Sequence, residues 1–120
     1  MSAIAGAALV LDEPLSLWGG IDPATGEIVD GRHPQRGQRV TGRVLVMAAA
    51  RGSSSSSSVL AEAVRAGTAP LAIVLGVPDL ILAVGSAVAR ELYGIHVPVV
   101  VCPAAELVRI RTGDRIEVDA

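Results

Sequence analysis

The stretch Val40-Thr41-Gly42-Arg43-Val44-Leu45-Val46-Met47-Ala48-Ala49-Ala50-Arg51-Gly52-Ser53-Ser54-Ser55-Ser56-Ser57-Ser58-Val59-Leu60-Ala61-Glu62-Ala63-Val64-Arg65-Ala66-Gly67 decides the fold. Its first part, Val40 to Ala49, is aliphatic and centred on Val44-Leu45-Val46-Met47, which predicts a buried strand. Its last part, Val59 to Ala66, has helical spacing and stops at Gly67, a residue suited to the left-handed position that ends a helix. Between them lie Arg51, Gly52 and the serines Ser53 to Ser58. Strand, loop and helix in that order open a parallel α/β unit.

Working toward the C-terminus, Leu71 to Leu75 is a continuous aliphatic strand. Asp79 is placed to cap a second helix, whose apolar positions Ile81, Val84, Val88 and Leu92 follow a 3.6-residue period and end at Gly94. Val97 to Val101 predicts another buried strand. Val108 to Val118 predicts a hairpin turning at Thr112-Gly113-Asp114, with Val108, Ile110, Ile116 and Val118 on one face and Arg109, Arg111 and Arg115 in solvent. Toward the N-terminus, Trp18-Gly19-Gly20, Asp22-Pro23, Thr25-Gly26 and His33-Pro34 crowd turn chemistry into a loop-rich segment of the kind that often carries function. Ile4 to Leu11 predicts a strand with Gly6 as a bulge. The expected fold is a mixed α/β single domain over residues 1–120, a parallel core flanked by antiparallel strands from the two ends.

Composition narrows the function. The chain is 51% hydrophobic, yet Trp18 and Tyr93 are its only aromatics, so the core must be Ala, Val, Leu and Ile. The 10 basic residues, all arginine, nearly balance 12 acidic ones, and a net charge of -2 gives no pull toward nucleic acid. Long apolar runs are interrupted, and Met1 to Leu11 lacks a signal-peptide pattern, so a cytoplasmic protein without a membrane span is expected. The single cysteine, Cys102, excludes an intrachain disulfide. With His33 and His96 it makes a poor metal site, because clusters need several thiolates. Any metal cluster is therefore expected on a partner, with no cofactor in this chain.

Arg51-Gly52-Ser53-Ser54 is the candidate site. At a strand-to-helix junction, backbone N–H groups and the positive end of the helix dipole favour an anion. Arg51 can fork a carboxylate or phosphate, Gly52 admits close approach, and the same field favours an ionised serine hydroxyl as base or nucleophile. Composition alone leaves a flexible serine linker or cap equally open. The loop is neither a Walker-type phosphate loop, having no lysine, nor the nucleophile elbow of hydrolases.

The run Leu15-Ser16-Leu17-Trp18-Gly19-Gly20-Ile21-Asp22-Pro23-Ala24-Thr25-Gly26, then His33-Pro34, then Arg51-Gly52-Ser53-Ser54, resembles the small subunit of aconitase X-type hydro-lyases. Gly67-Thr68-Ala69-Pro70-Leu71-Ala72-Ile73-Val74 and Thr112-Gly113-Asp114-Arg115-Ile116-Glu117-Val118 extend the likeness over nearly the whole chain. The resemblance implies a swivelling β/β/α domain like the mobile domain of aconitase, paired with a large subunit that carries an iron–sulfur cluster. Ser53 then matches the family's proton acceptor, with Arg51, Gly52 and Ser54 helping to hold a small anionic or zwitterionic hydroxy acid. Family members usually carry glycine three residues after that serine, where this chain has Ser56. The implied activity is dehydration, of cis-3-hydroxy-L-proline by preference on the arginine-only composition, or of phosphomevalonate. A rival reading is a non-catalytic binding or scaffolding domain of the same fold, suggested by Ser56 and the serine run.

Other residues carry milder expectations. Trp18 reads as a plug for its own loop, with a subunit contact as the alternative. Asp22 reads as turn chemistry near the site rim, and His33 as a surface histidine, with a second acid–base group as the alternative. His96 and Cys102 read as structural.

Overall fold

A computed structural model describes residues 3–119. The elements are β1 (Ala3–Val10), the helical turn α1 (Leu17–Gly20), β2 (Ile21–Asp22), β3 (Glu27–Ile28), β4 (Val44–Met47), α2 (Ser56–Ala66), β5 (Ala72–Leu75), α3 (Leu80–Tyr93), β6 (Val99–Val101), α4 (Ala104–Leu107) and β7 (Arg115–Asp119). They build a five-stranded sheet in the order β6-β5-β4-β1-β7 and a separate β2–β3 hairpin. Leu9 sits opposite Leu45, Leu45 opposite Ile73, and Ile73 opposite Val99, all in parallel register.

This corrects the expected arrangement in one respect. The N-terminal strand lies inside the parallel core, paired with β4, and β7 alone runs antiparallel in the five-stranded sheet among the described residues. Gly6 forms no bulge, because it pairs with Ile116 in continuous register. A β-carbon there would stand 2.6 Å from Leu71 Cδ1, so its bareness serves close packing.

Alternation along the strands sends side chains to two cores. One face presents Leu9, Leu45, Met47, Ile73 and Leu75 to Leu60 and Val64 of α2 and Leu82 of α3, with Ile21 and Ile28 of the hairpin closing the side. Each such aliphatic side chain contributes about 1.5–3 kcal/mol on burial. The other face carries Ala8, Val44, Val46, Ala72 and Val74 under Leu107 and Val118. The core is aliphatic throughout, as the composition requires.

The C-terminal hairpin does not form. Ala104–Leu107 is helical, and the Thr112–Asp114 turn docks on β1, where Thr112 Oγ1 accepts from Val10 N at 2.9 Å and Gly113 N donates to Ala8 O at 2.9 Å. Pairing with β1 satisfies an entire strand edge, which a local hairpin would leave open. Ile116 and Val118 do point inward, but Val108 is 80% exposed.

The second helix starts and stops as its caps dictate. Asp79 Oδ1 accepts from Leu82 N at 2.9 Å, and Gly94 ends it with φ 68°. Its facing differs from expectation: Val84, Val88 and Leu92 are exposed, whereas Leu82, Gly85, Ser86 and Ala89 are buried. The cause is close packing on α2. A β-carbon at Gly85 would meet Ser57 O at 2.8 Å, so that contact selects small residues and turns the large aliphatic ones outward. No helix among the described residues is long and apolar enough to cross a membrane.

Candidate active-site loop

The carboxyl ends of β1, β4, β5 and β6 share one edge of the sheet, the edge at which open α/β sheets bind ligands. The serine loop leaves β4 at that edge. It is stitched to the segment before α1: Leu15 and Ala50 form a parallel bridge, and Arg51 N donates to Leu15 O at 3.2 Å. Ser53 O accepts from Ser56 N at 3.0 Å, and Ser54 O accepts from Ser57 N and from Ser57 Oγ. The serines are thus a closed turn followed by helix, and α2 begins at Ser56, three residues earlier than its apolar spacing indicates. A solvated linker does not describe them.

This turn also consumes two of the amides expected to be free for an anion, those of Ser56 and Ser57. What the loop leaves open is the exposed Arg51, a half-buried Ser53 and the space beside Gly52, where an added β-carbon would meet nothing within 4 Å. Neither crowding nor a positive φ demands glycine at position 52. The first turn of α2 carries no acidic residue, so its dipole acts on the loop unopposed by a local carboxylate.

Ser56 has a defined task. It is 3% exposed, and its hydroxyl accepts from Trp18 N at 3.1 Å and lies 3.4 Å from Ser16 Oγ. The Trp18 amide can only donate, so Ser56 Oγ accepts there, and the two hydroxyls of Ser56 and Ser16 share a proton in either direction. The hydroxyl at the position where the resemblance implies glycine therefore joins the serine loop to the segment before β2. Trp18 itself is 60% exposed beside that joint, which overturns its reading as a loop plug.

Asp22 performs the expected turn chemistry, its Oδ1 accepting from Ala24 N at 2.9 Å and its carbonyl from Gly26 N at 2.7 Å. The turn packs on Thr41 and Thr68, beyond the C-terminal end of α2, and so lies a helix length from Ser53. It does not shape the rim of the serine loop.

His33 is not a surface residue, being 6% exposed. Its Nδ1 accepts from Gln35 N at 3.0 Å, which fixes the proton on Nε2, where it is donated to Glu13 O at 2.9 Å. Both nitrogens are committed, and the ring braces two turns together. Those turns and Arg51 enclose a cleft of about 230 Å³ lined by Glu13, Asp30, Arg32 and Arg51. Of these four, only Arg51 stands out in the sequence; the others come from separate turns with no motif of their own.

Among the described residues no three His, Cys, Asp or Glu side chains are grouped to hold an ion. Cys102 is half-buried at the end of β6, its thiol pushed above the usual range first by burial and then by the Glu106 carboxylate nearby. A lone thiol, His33 with both nitrogens engaged and His96 with no second ligand grouped beside it among the described residues do not fit an iron–sulfur cluster.

The family model described as the aconitase X swivel domain matches residues 2–120. The cis-3-hydroxy-L-proline dehydratase of Pseudomonas aeruginosa is 48% identical over 85 residues, covering 71% of this chain and 15% of that protein. The phosphomevalonate dehydratase small subunit of Methanopyrus kandleri is 41% identical over 110 residues, 91% of this chain and 77% of that one. The chain therefore spans a small fraction of the hydroxyproline dehydratase and most of the small subunit. The crystal structure of Thermococcus kodakaraensis aconitase X in its holo-form superposes with a TM-score of 0.83 at 30% identity, covering 98% of this chain and 84% of that one. With the fold and the whole-length match in agreement, this chain belongs to the aconitase X swivel-domain family.

Proposed function

We infer that the chain is the small subunit of an aconitase X-type dehydratase acting on cis-3-hydroxy-L-proline, with Ser53 as the base. The observation that carries this reading is the loop itself. Arg51 and Ser53 flank an open approach at the start of α2, on the ligand-binding edge of the sheet. The guanidinium of Arg51 binds the substrate carboxylate, and Gly52 and Ser54 border the approach. The proton leaves carbon for the ionised Oγ of Ser53, which becomes a neutral hydroxyl. The electron pair left on carbon becomes the new double bond, and the hydroxyl on the neighbouring carbon departs as hydroxide. The iron–sulfur cluster proposed for the large-subunit partner supplies the Lewis acid for that departure.

The greater identity to the Pseudomonas aeruginosa dehydratase supports hydroxyproline. Phosphomevalonate is the second reading, favoured by a match that runs over 96% of this chain and 84% of the Methanothermobacter thermautotrophicus small subunit.

The test is reconstitution with the large subunit and assay of both substrates. Ser53→Ala is expected to lower kcat by about 10²–10⁴-fold without altering the fold of the chain. Undiminished turnover by that variant would remove Ser53 from the role of base, and no association with a large subunit would favour the non-catalytic reading.

A further inference from the structure

We propose that the cleft between Glu13, Asp30, Arg32 and Arg51 recognises a zwitterionic amino acid, the two guanidinium groups taking its carboxylate and the two carboxylates its ammonium. This rests on the reading of the chain as a hydroxyproline dehydratase subunit and names the side chains of this chain that set its specificity.

The cleft is a braced structure. His33 joins its two outer walls through Glu13 O and Gln35 N. Gln35 returns to the first wall, its Oε1 accepting from Asp12 N at 3.0 Å and its Nε2 donating to Asp12 Oδ2 at 2.7 Å. Asp30 Oδ1 accepts from Arg32 N at 3.0 Å, fixing the turn that carries both. The third wall is tied in by Arg51 N to Leu15 O. Walls held this way need little reordering when a ligand enters.

Its charges are unspent. Two cationic and two anionic side chains line one cleft, yet no ion pair joins any two of them among the described residues; the ion pair present, Glu62 with Arg65, lies on α2. A dianionic phosphate ester would be drawn to the guanidinium groups and repelled by the carboxylates. A molecule bearing one carboxylate and one ammonium meets an opposite charge at each end, and the balanced cleft selects it by attraction and repulsion together. Arg51 lines this cleft and opens the serine loop, so a carboxylate held by its guanidinium lies at the start of the segment that carries Ser53.

The experiment uses the assembly of this chain with its large subunit. Asp30→Asn keeps the oxygen that holds the Arg32 amide while removing the charge. That variant and Arg32→Ala are each expected to raise KM for cis-3-hydroxy-L-proline about ten-fold, with kcat changed by less than about two-fold. In a Ser53→Ala assembly, which holds substrate without turning it over, calorimetry is expected to show the same loss of affinity. There Asp30→Asn should also strengthen binding of mevalonate 5-phosphate. If the assembly dehydrates hydroxyproline and ignores both substitutions, the cleft assignment is overturned while the proposed function stands. If the intact assembly prefers mevalonate 5-phosphate, both the zwitterion and the hydroxyproline readings fall, and Ser53 is still judged by its own variant.

Discussion

The two ends of the segment from Trp18 to Gly26 have opposite characters. At Gly26 the chain is enclosed: φ is +76°, and a β-carbon would stand 2.2 Å from Thr41 Oγ1 and 2.8 Å from Thr68 O. The surrounding polar groups satisfy one another, Thr68 Oγ1 donating to Pro23 O at 2.6 Å and Thr41 Oγ1 to Thr68 O at 2.8 Å. At Trp18 the largest side chain in the protein stands in solvent, anchored through its backbone to Ser56. One continuous motif thus serves folding at one end and borders the candidate site at the other. A motif that identifies a family need not be functional along its whole length.

Substitutions can break this contrast, and the largest effect is expected at the enclosed end. Gly26→Val should cost about 3 kcal/mol or more, enough to abolish cooperative thermal unfolding followed by circular dichroism. A stable Gly26→Val chain would show that the turn is far looser than its contacts imply. Ser56→Gly lies between the extremes. It leaves the Trp18 amide without its acceptor and should cost about 1 kcal/mol in urea unfolding, with faster hydrogen exchange at Trp18 N–H. Unchanged exchange would mean that the loop and the Trp18 segment are not joined. Trp18→Ala should have the smallest effect, within about 0.5 kcal/mol of the parent, because the side chain is mostly exposed and the backbone amide that bonds Ser56 is kept.

What was legible in the sequence follows the range of the forces involved. Gly67, Asp79 and Gly94 act within one helical turn, and each marks a helix end where expected. The aliphatic runs at Val44–Met47 and Ala72–Leu75 are strands because buried parallel strands tolerate no polar alternation. The errors arise where distant segments decide. The facing of α3 was misread because periodicity follows large side chains, whereas the tight contact of Gly85 on Ser57 selects small ones. β7 pairs with a strand at the other end of the chain, so a local hairpin reading could not anticipate it. The serine loop was visible as a junction, but the bracing by His33 and the cleft beside Arg51 are assembled from three separate turns.

The exposure of Trp18 has a practical consequence. The chain holds one tryptophan and one tyrosine, so nearly all of its intrinsic fluorescence comes from a single indole. That indole is largely solvated, and its backbone amide is anchored to Ser56 at the start of α2. Whatever covers it will move the emission toward the blue and change its intensity. The molecule therefore carries its own optical probe for any contact made there, with no label attached.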